Sequence, residues 1–189
     1  MKRLFKVLIV IIILLIIILI GLRNKNTIMK NFYVIKYSEY VEKYSEEYEV
    51  DKYLIYACIK AESNFNEQAK SSKGAKGLMQ LMDSTAKDIA KSLNIEIYDD
   101  DLFDPDININ LGTKYISKLM QKYQNTELAL AAYNAGSGNV DSWIKENKLK
   151  DDGSDVENIP FKETNNYVRK ILRDYKIYKK LYDGYINQD

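Results

Sequence analysis

No histidine occurs in the 189 residues. That absence removes Ser-His-Asp and Cys-His hydrolase sites, HExxH zinc proteases and His-ligated catalytic metals. Hydrolytic or lyase chemistry must then run on carboxylates, Lys, Tyr or Ser. Cysteine occurs once, at Cys58, so neither an intrachain disulfide nor a cysteine zinc cluster can form. Set inside an apolar run, Cys58 reads as a small core side chain. No cofactor and no metal is expected. An excess of one charge is also missing, since 28 Lys plus Arg stand against 27 Asp plus Glu, spread along the chain. Nothing marks a nucleic-acid binder. Strand-like alternation is scarce, and no internal repeat is found.

Aliphatic residues are concentrated at the start. Val7 to Leu22 are Val, Ile and Leu with one Gly, and counted from Leu4 the stretch nears the roughly 20 residues that span a bilayer. Gly-Leu-Arg-Asn-Lys-Asn follows, with no small-residue cleavage site and no Cys for lipid attachment, which favours an uncleaved anchor over a cleaved signal. Lys2, Arg3 and Lys6 on one side face Arg23, Lys25 and Lys30 on the other, so loop charge barely orients the segment. The function read below requires the bulk of the chain outside the cell. The expected organisation is a short cytoplasmic N-terminus over residues 1–6, a single transmembrane helix over 7–22 and a polar stalk over 23–37. Residues 38–189 then form one mainly α catalytic domain, at the cell membrane but extracytoplasmic.

The first helix of that domain to carry a chemical signal opens at Asp51, a plausible N-cap, and runs through Lys52 to Glu62. At about 100° per residue from Leu54, Cys58 falls at about 40°, Ile55 at about 100° and Ile59 at about 140°. Glu62 falls at about 80°, inside that apolar arc. A lone helical Glu is usually solvated surface, but a carboxyl flanked by Leu, Ile and Cys loses hydration in its charged form. Its pKa should rise, as a general acid's does. The alternative is a helix that ends at Ile59 and lets Glu62 turn outward to a cleft rim.

The loop that follows contains Ser71, Ser72, Gly74 and Gly77, which suit tight turns, and it lacks the spacing of a phosphate loop. Ala86, Ile89, Ala90 and Leu93 supply a helix face, and Asp104-Pro105 opens a helix carrying Tyr115, Ile116, Leu119 and Tyr123. A short apolar helix over Leu128 to Tyr133 stops at Asn134 to Gly138, with Gly136 as its cap. Beyond Trp143 lies a polar loop, Lys148 to Asn158, and a last helix begins near Glu163.

Taken in order, Glu62-Ser63, Gly77-Leu78-Met79-Gln80, Ala131-Ala132-Tyr133-Asn134-Ala135-Gly136, and Ile159-Pro160-Phe161 with Glu163-Thr164 and Tyr167-Val168 resemble the motifs of the soluble lytic transglycosylase family. The resemblance extends over most of the chain after residue 40. It implies a lysozyme-like helical fold, no cofactor, and Glu62 as the sole catalytic acid/base. It further implies that Ser63, Ser71, Met79 and Gln80 border the scissile sugar, and that Tyr133, Asn134 and Tyr167 complete the cleft. Asp83 and Ser137 stand where relatives commonly carry Pro, departures that touch a helix start and a turn. Read in isolation, Met79 and Tyr133 fit a packed core equally well, and most of the 16 tyrosines should be packing residues.

Ordinary glycosidases use two carboxylates. Glu67 and Asp83 are the only nearby seconds, and adjacent lysines suggest that both are solvated. The resemblance implies a route that needs one, in which Glu62 protonates the bond between N-acetylmuramic acid and N-acetylglucosamine and the muramic acid 6-hydroxyl closes a 1,6-anhydro ring. The implied partner is the peptidoglycan glycan strand. Two rivals remain open at this level: a goose-type-lysozyme-like muramidase that delivers water, and a membrane-tethered glycan-binding scaffold of an envelope-spanning or division machine.

Overall fold

Asp51 fixes the start of the central helix. In the computed structural model, which describes residues 2–98 and 100–183, its carboxylate accepts the Tyr53 N–H at 2.8 Å. That is the N-cap role read from the sequence. The chain forms α1 (Lys2–Arg23), α2 (Lys25–Phe32), α3 (Ser38–Tyr48), α4 (Lys52–Glu62), α5 (Asp83–Leu93), α6 (Pro105–Tyr123), α7 (Thr126–Ala135), α8 (Ser137–Lys145) and α9 (Lys162–Tyr182). Among the described residues there are only isolated β-bridges between Lys70, Lys76 and Leu81. The fold is mainly α, as expected.

Helix α4 is the hub. Tyr53 through Ile59 are all buried, so the helix is apolar all round rather than along one arc, the pattern of an element enclosed by others. It packs on α9 and α3, while α6 lies against α3 and α7, and α7 against α8 and α9. Cys58 is fully buried within this core. Two of its tyrosines bring polar tips that bond to α6: the Tyr44 hydroxyl donates to Asp106 and that of Tyr48 to Asn110, each at 2.6 Å.

The other boundaries follow local chemistry. Asp104 caps α6 by accepting the Ile107 N–H, and Pro105 takes the first helical position, where its missing N–H costs nothing. Gly136, at φ 87°, ends α7. The sequence reading extended the turn to Gly138, but one left-handed residue suffices and α8 begins at Ser137. Residues 25–32, read as polar stalk, are helical, and Tyr33 just beyond them is buried against the domain. Helix α1 exposes nearly all of its described aliphatic side chains. Among the described residues no single helix is long and apolar enough to cross a membrane; Phe5–Gly21 and Lys25–Phe32, bent by 61°, reach that length and composition only when taken together.

Candidate active site

Glu62 is the last residue of α4. The helix does not stop at Ile59: Ser63 is its C-cap, and the Ser63 N–H donates to the Ile59 and Lys60 carbonyls. The carboxyl therefore stays on the line of the buried helix and emerges half-buried at its end. Loss of hydration pushes its pKa from 4.5 up to about 7; a hydrogen bond from Tyr167 and the charge of Lys170 act in the opposite direction. Desolvation prevails because it disfavours the ionised form directly, whereas the Lys170 side chain is exposed and its charge is screened. A carboxyl poised near neutrality can give a proton and take one back.

Helix α9 supplies the first contact. The Tyr167 hydroxyl donates to Glu62 Oε1 at 2.5 Å, and Lys170, three residues on, donates from Nζ to the Ala61 carbonyl at 3.2 Å. A cation at the C-terminus of α4 also complements the helix dipole. Burial, followed by the charge of Glu62, pushes the phenols of Tyr133 and Tyr167 well above their ordinary range. Both remain hydrogen-bond donors. Among the described residues, the groups that act on Glu62 include no second carboxylate. Glu67 accepts from the Tyr37 hydroxyl at 2.9 Å, and Asp83, at the first position of α5, pairs with Lys76 at 2.8 Å.

After Ser63 the chain reverses sharply. Asn64 and Phe65 are both left-handed, at φ 50° and 64°, uncommon for residues with a Cβ. The buried Phe65 ring, packed 6.4 Å from Tyr56, holds the turn in place. The loop that follows folds back on itself through the Gly77 N–H to Ala69 and reciprocal bonds between Lys76 and Leu81. Gln80 ties its neck, Nε2 donating to the Ala69 and Gly77 carbonyls at 3.0 and 2.9 Å. Ser71 Oγ accepts the Ala75 N–H in the same loop. Met79 is fully buried against Gly112, where a Cβ would come within 2.4 Å of its sulfur. The Met79 carbonyl accepts the Tyr133 hydroxyl at 2.7 Å. In this way α7 is pinned to the loop.

Of the residues singled out from the sequence, Glu62 and Tyr167 meet directly, and Met79 and Tyr133 form a second pair beside them. Asn134 is exposed and its Oδ1 accepts from Thr164, which links α7 to the start of α9. The Ser63 hydroxyl turns back to the Ile59 carbonyl of its own helix. Sequence reasoning placed Thr164 in a motif without giving it a role, and it missed Lys170 and Asn108. The Asn108 side chain, fully buried, accepts the Met79 N–H and donates to the Lys76 and Leu102 carbonyls. A signal was available: Asn108 shares the face of Leu111, Gly112 and Tyr115 on α6, a polar residue in an apolar stripe. Among the described residues no group of three or more metal-ligating side chains comes together.

Tyr167→Phe and Lys170→Met each remove an influence that lowers the Glu62 pKa. Both are expected to move the alkaline limb of the activity profile to higher pH, and Lys170→Arg is expected to restore it. Tyr167→Phe also loses a hydrogen bond to a charged group, a cost of about tenfold or more in rate. Initial rates from pH 5 to 9 check both; a limb that moves down would contradict the assignment.

Residues 39–156 match the family described as the Transglycosylase SLT domain; Tyr167 lies beyond that span. The chain is 36% identical over 154 residues to the soluble lytic murein transglycosylase of Escherichia coli (strain K12), across 79% of this chain and 24% of the relative. It is 41% identical over 119 residues to membrane-bound lytic murein transglycosylase C of Edwardsiella ictaluri, across 56% and 32% respectively. Among solved structures it superposes on the lytic transglycosylase Slt of Pseudomonas aeruginosa, solved as an inactive mutant with Gln in place of a Glu. The TM-score is 0.72 at 34% identity, covering 78% of this chain and 24% of that one. The present chain thus spans about a quarter of the length of the soluble relatives.

Proposed function

The chain belongs to the transglycosylase SLT family, and from that premise we propose that it is a peptidoglycan lytic transglycosylase acting through Glu62 alone. One observation carries the reading: a half-buried carboxyl, raised to about 7 and held by Tyr167, with no second carboxylate among the groups acting on it. A glycosidase that forms a covalent intermediate needs a partner carboxylate about 5 Å away, and a single acid/base needs none.

In the proposed cycle the protonated Glu62 gives its proton to the oxygen joining N-acetylmuramic acid to N-acetylglucosamine as the anomeric C–O bond breaks. The carboxylate then takes the proton of the muramic acid 6-hydroxyl while that oxygen bonds to the anomeric carbon. Glu62 ends protonated, no water is consumed, and the product carries a 1,6-anhydro end. Tyr167 fixes which carboxyl oxygen is engaged. The loop of Ser71 and Gln80, with the buried Met79 packed beneath it, and the turn at Tyr133 and Asn134 line the sugar sites, with Ser63 beside them. Product masses from purified peptidoglycan test this. Anhydro ends are expected; reducing ends, heavier by one water, would assign a muramidase instead.

The membrane reading is part of the same proposal. Residues 7–22 anchor the chain and place residues 38–189 on the outer side, beside newly made glycan. The long exposed aliphatic surface of α1 supports this. Salt-resistant fractionation with membranes, and digestion of the domain by protease added to intact spheroplasts, are the expected results.

A further inference from the structure

Helix α2 has two unlike sides. Met29 is partly buried against the domain core, and the Lys30 ammonium lies 5.0 Å over the Tyr182 ring. Ile28 and Phe32, four residues apart and so on one face, are 45% and 65% exposed. Lys25, three residues before Ile28, borders that face, and Arg23 precedes it. Among the described residues nothing covers these two apolar side chains. Helix α1 enters α2 directly: the Asn24 N–H and side-chain amide both donate to the Ile20 carbonyl, closing α1, and the chain bends by 61°.

The far end of α2 is fastened. The Tyr33 hydroxyl donates to the buried Asp174 at 3.1 Å, that of Tyr178 to the Val34 carbonyl at 3.0 Å, and that of Tyr182 to the Tyr33 carbonyl at 2.7 Å. Lys60 of α4 lies over the Tyr33 ring at 4.9 Å. Three of these groups belong to α9, the helix that delivers Tyr167 to Glu62.

From this geometry we infer that α2 lies along the outer boundary of an anionic lipid bilayer, with Ile28 and Phe32 at the level where acyl chains meet headgroups and Lys25 among the phosphates. A short helix with an apolar face edged by cations and continuous with an aliphatic helix has the chemistry of that boundary. The tyrosine clamp converts this contact into a fixed height for the cleft. The catalytic domain is then seated on the membrane rather than swung on a flexible stalk. The inference rests on the proposed anchor, so the test separates the two.

Full-length protein is labelled with a nitroxide at single introduced cysteines, Ile16→Cys, Phe32→Cys and Lys91→Cys, and reconstituted in phosphatidylcholine vesicles with phosphatidylglycerol. Cys58 is fully buried and stays unlabelled. Accessibility to oxygen and to a water-soluble nickel chelate is then measured. The expected order is deep burial at position 16, shallow lipid contact at 32 and full aqueous exposure at 91. If position 32 is as aqueous as 91 while 16 is deep, the seating is overturned and the anchor stands. If 16 is aqueous too, both fail. Protection of 32 from both reagents, with spin–spin broadening, would assign the face to a second copy of the chain and overturn the inference.

Discussion

Replacing Glu62 by Gln is expected to abolish glycan cleavage and, at neutral pH, to stabilise the fold. The first effect follows because the amide can neither give nor accept a proton at the glycosidic oxygen. Loss of the proposed acid/base is expected to lower the rate by at least about a thousandfold. The second follows from linkage. The carboxyl ionises at 4.5 in the reference state and at about 7 in the folded protein, because burial disfavours its charge. The folded state therefore holds the proton more tightly than the unfolded one, and stability falls as pH rises from 4.5 to 7. Above that window the penalty is complete, about 1–3 kcal/mol once partial exposure is allowed for. The uncharged amide of the variant carries none of it and keeps an oxygen to accept the Tyr167 hydroxyl. Urea denaturation of both proteins should give curves that coincide near pH 4 and separate by pH 8. Appreciable cleavage by the variant would end the single-carboxylate mechanism, and a less stable variant at pH 8 would show that Glu62 is not desolvated as described.

Asn108→Ala is expected to be strongly destabilising although it lies outside α4. One fully buried amide serves three backbone groups: the Met79 N–H at 2.7 Å, the Leu102 carbonyl at 2.8 Å and the Lys76 carbonyl at 3.1 Å. Truncation leaves the Met79 N–H and the Leu102 carbonyl unpaired, while the Lys76 carbonyl keeps the Leu81 N–H, and it opens a void, a cost of about 3–5 kcal/mol. For a domain of this size that corresponds to a fall in melting temperature of roughly 10 °C or more. The same change frees Gly77 and Met79, so the carbonyl that holds Tyr133 shifts. Cleavage by the fraction that remains folded should drop as well. Thermal melts by circular dichroism, with activity measured well below the transition, separate the two effects. A melting temperature within about 2 °C of the parent would show that the loop does not hang on this residue.

What was legible in the sequence was local. Asp51 and Asp104 announce helix starts because a carboxylate is the group that satisfies free N–H donors there, and Gly136 announces a stop because only glycine takes φ 87° without strain. The apolar turns before Glu62 made its elevated pKa predictable, since desolvation depends on neighbours one helical turn away. The aliphatic excess at the N-terminus is likewise a property of consecutive residues. Tertiary structure alone decided what lies across the fold. Tyr167 reaches Glu62 from 105 positions away, and only the packing of α9 on α4 brings them within a hydrogen bond. Asn108 could be flagged as a polar residue on an apolar face, yet the three groups it bonds, and so its hold on the Met79 loop, exist only once α6 packs under that loop. The stalk read from polar composition is a helix fastened by Tyr178 and Tyr182. Cap chemistry and periodicity act over one or two turns, whereas these contacts depend on which helix faces are pressed together, and no local pattern encodes that.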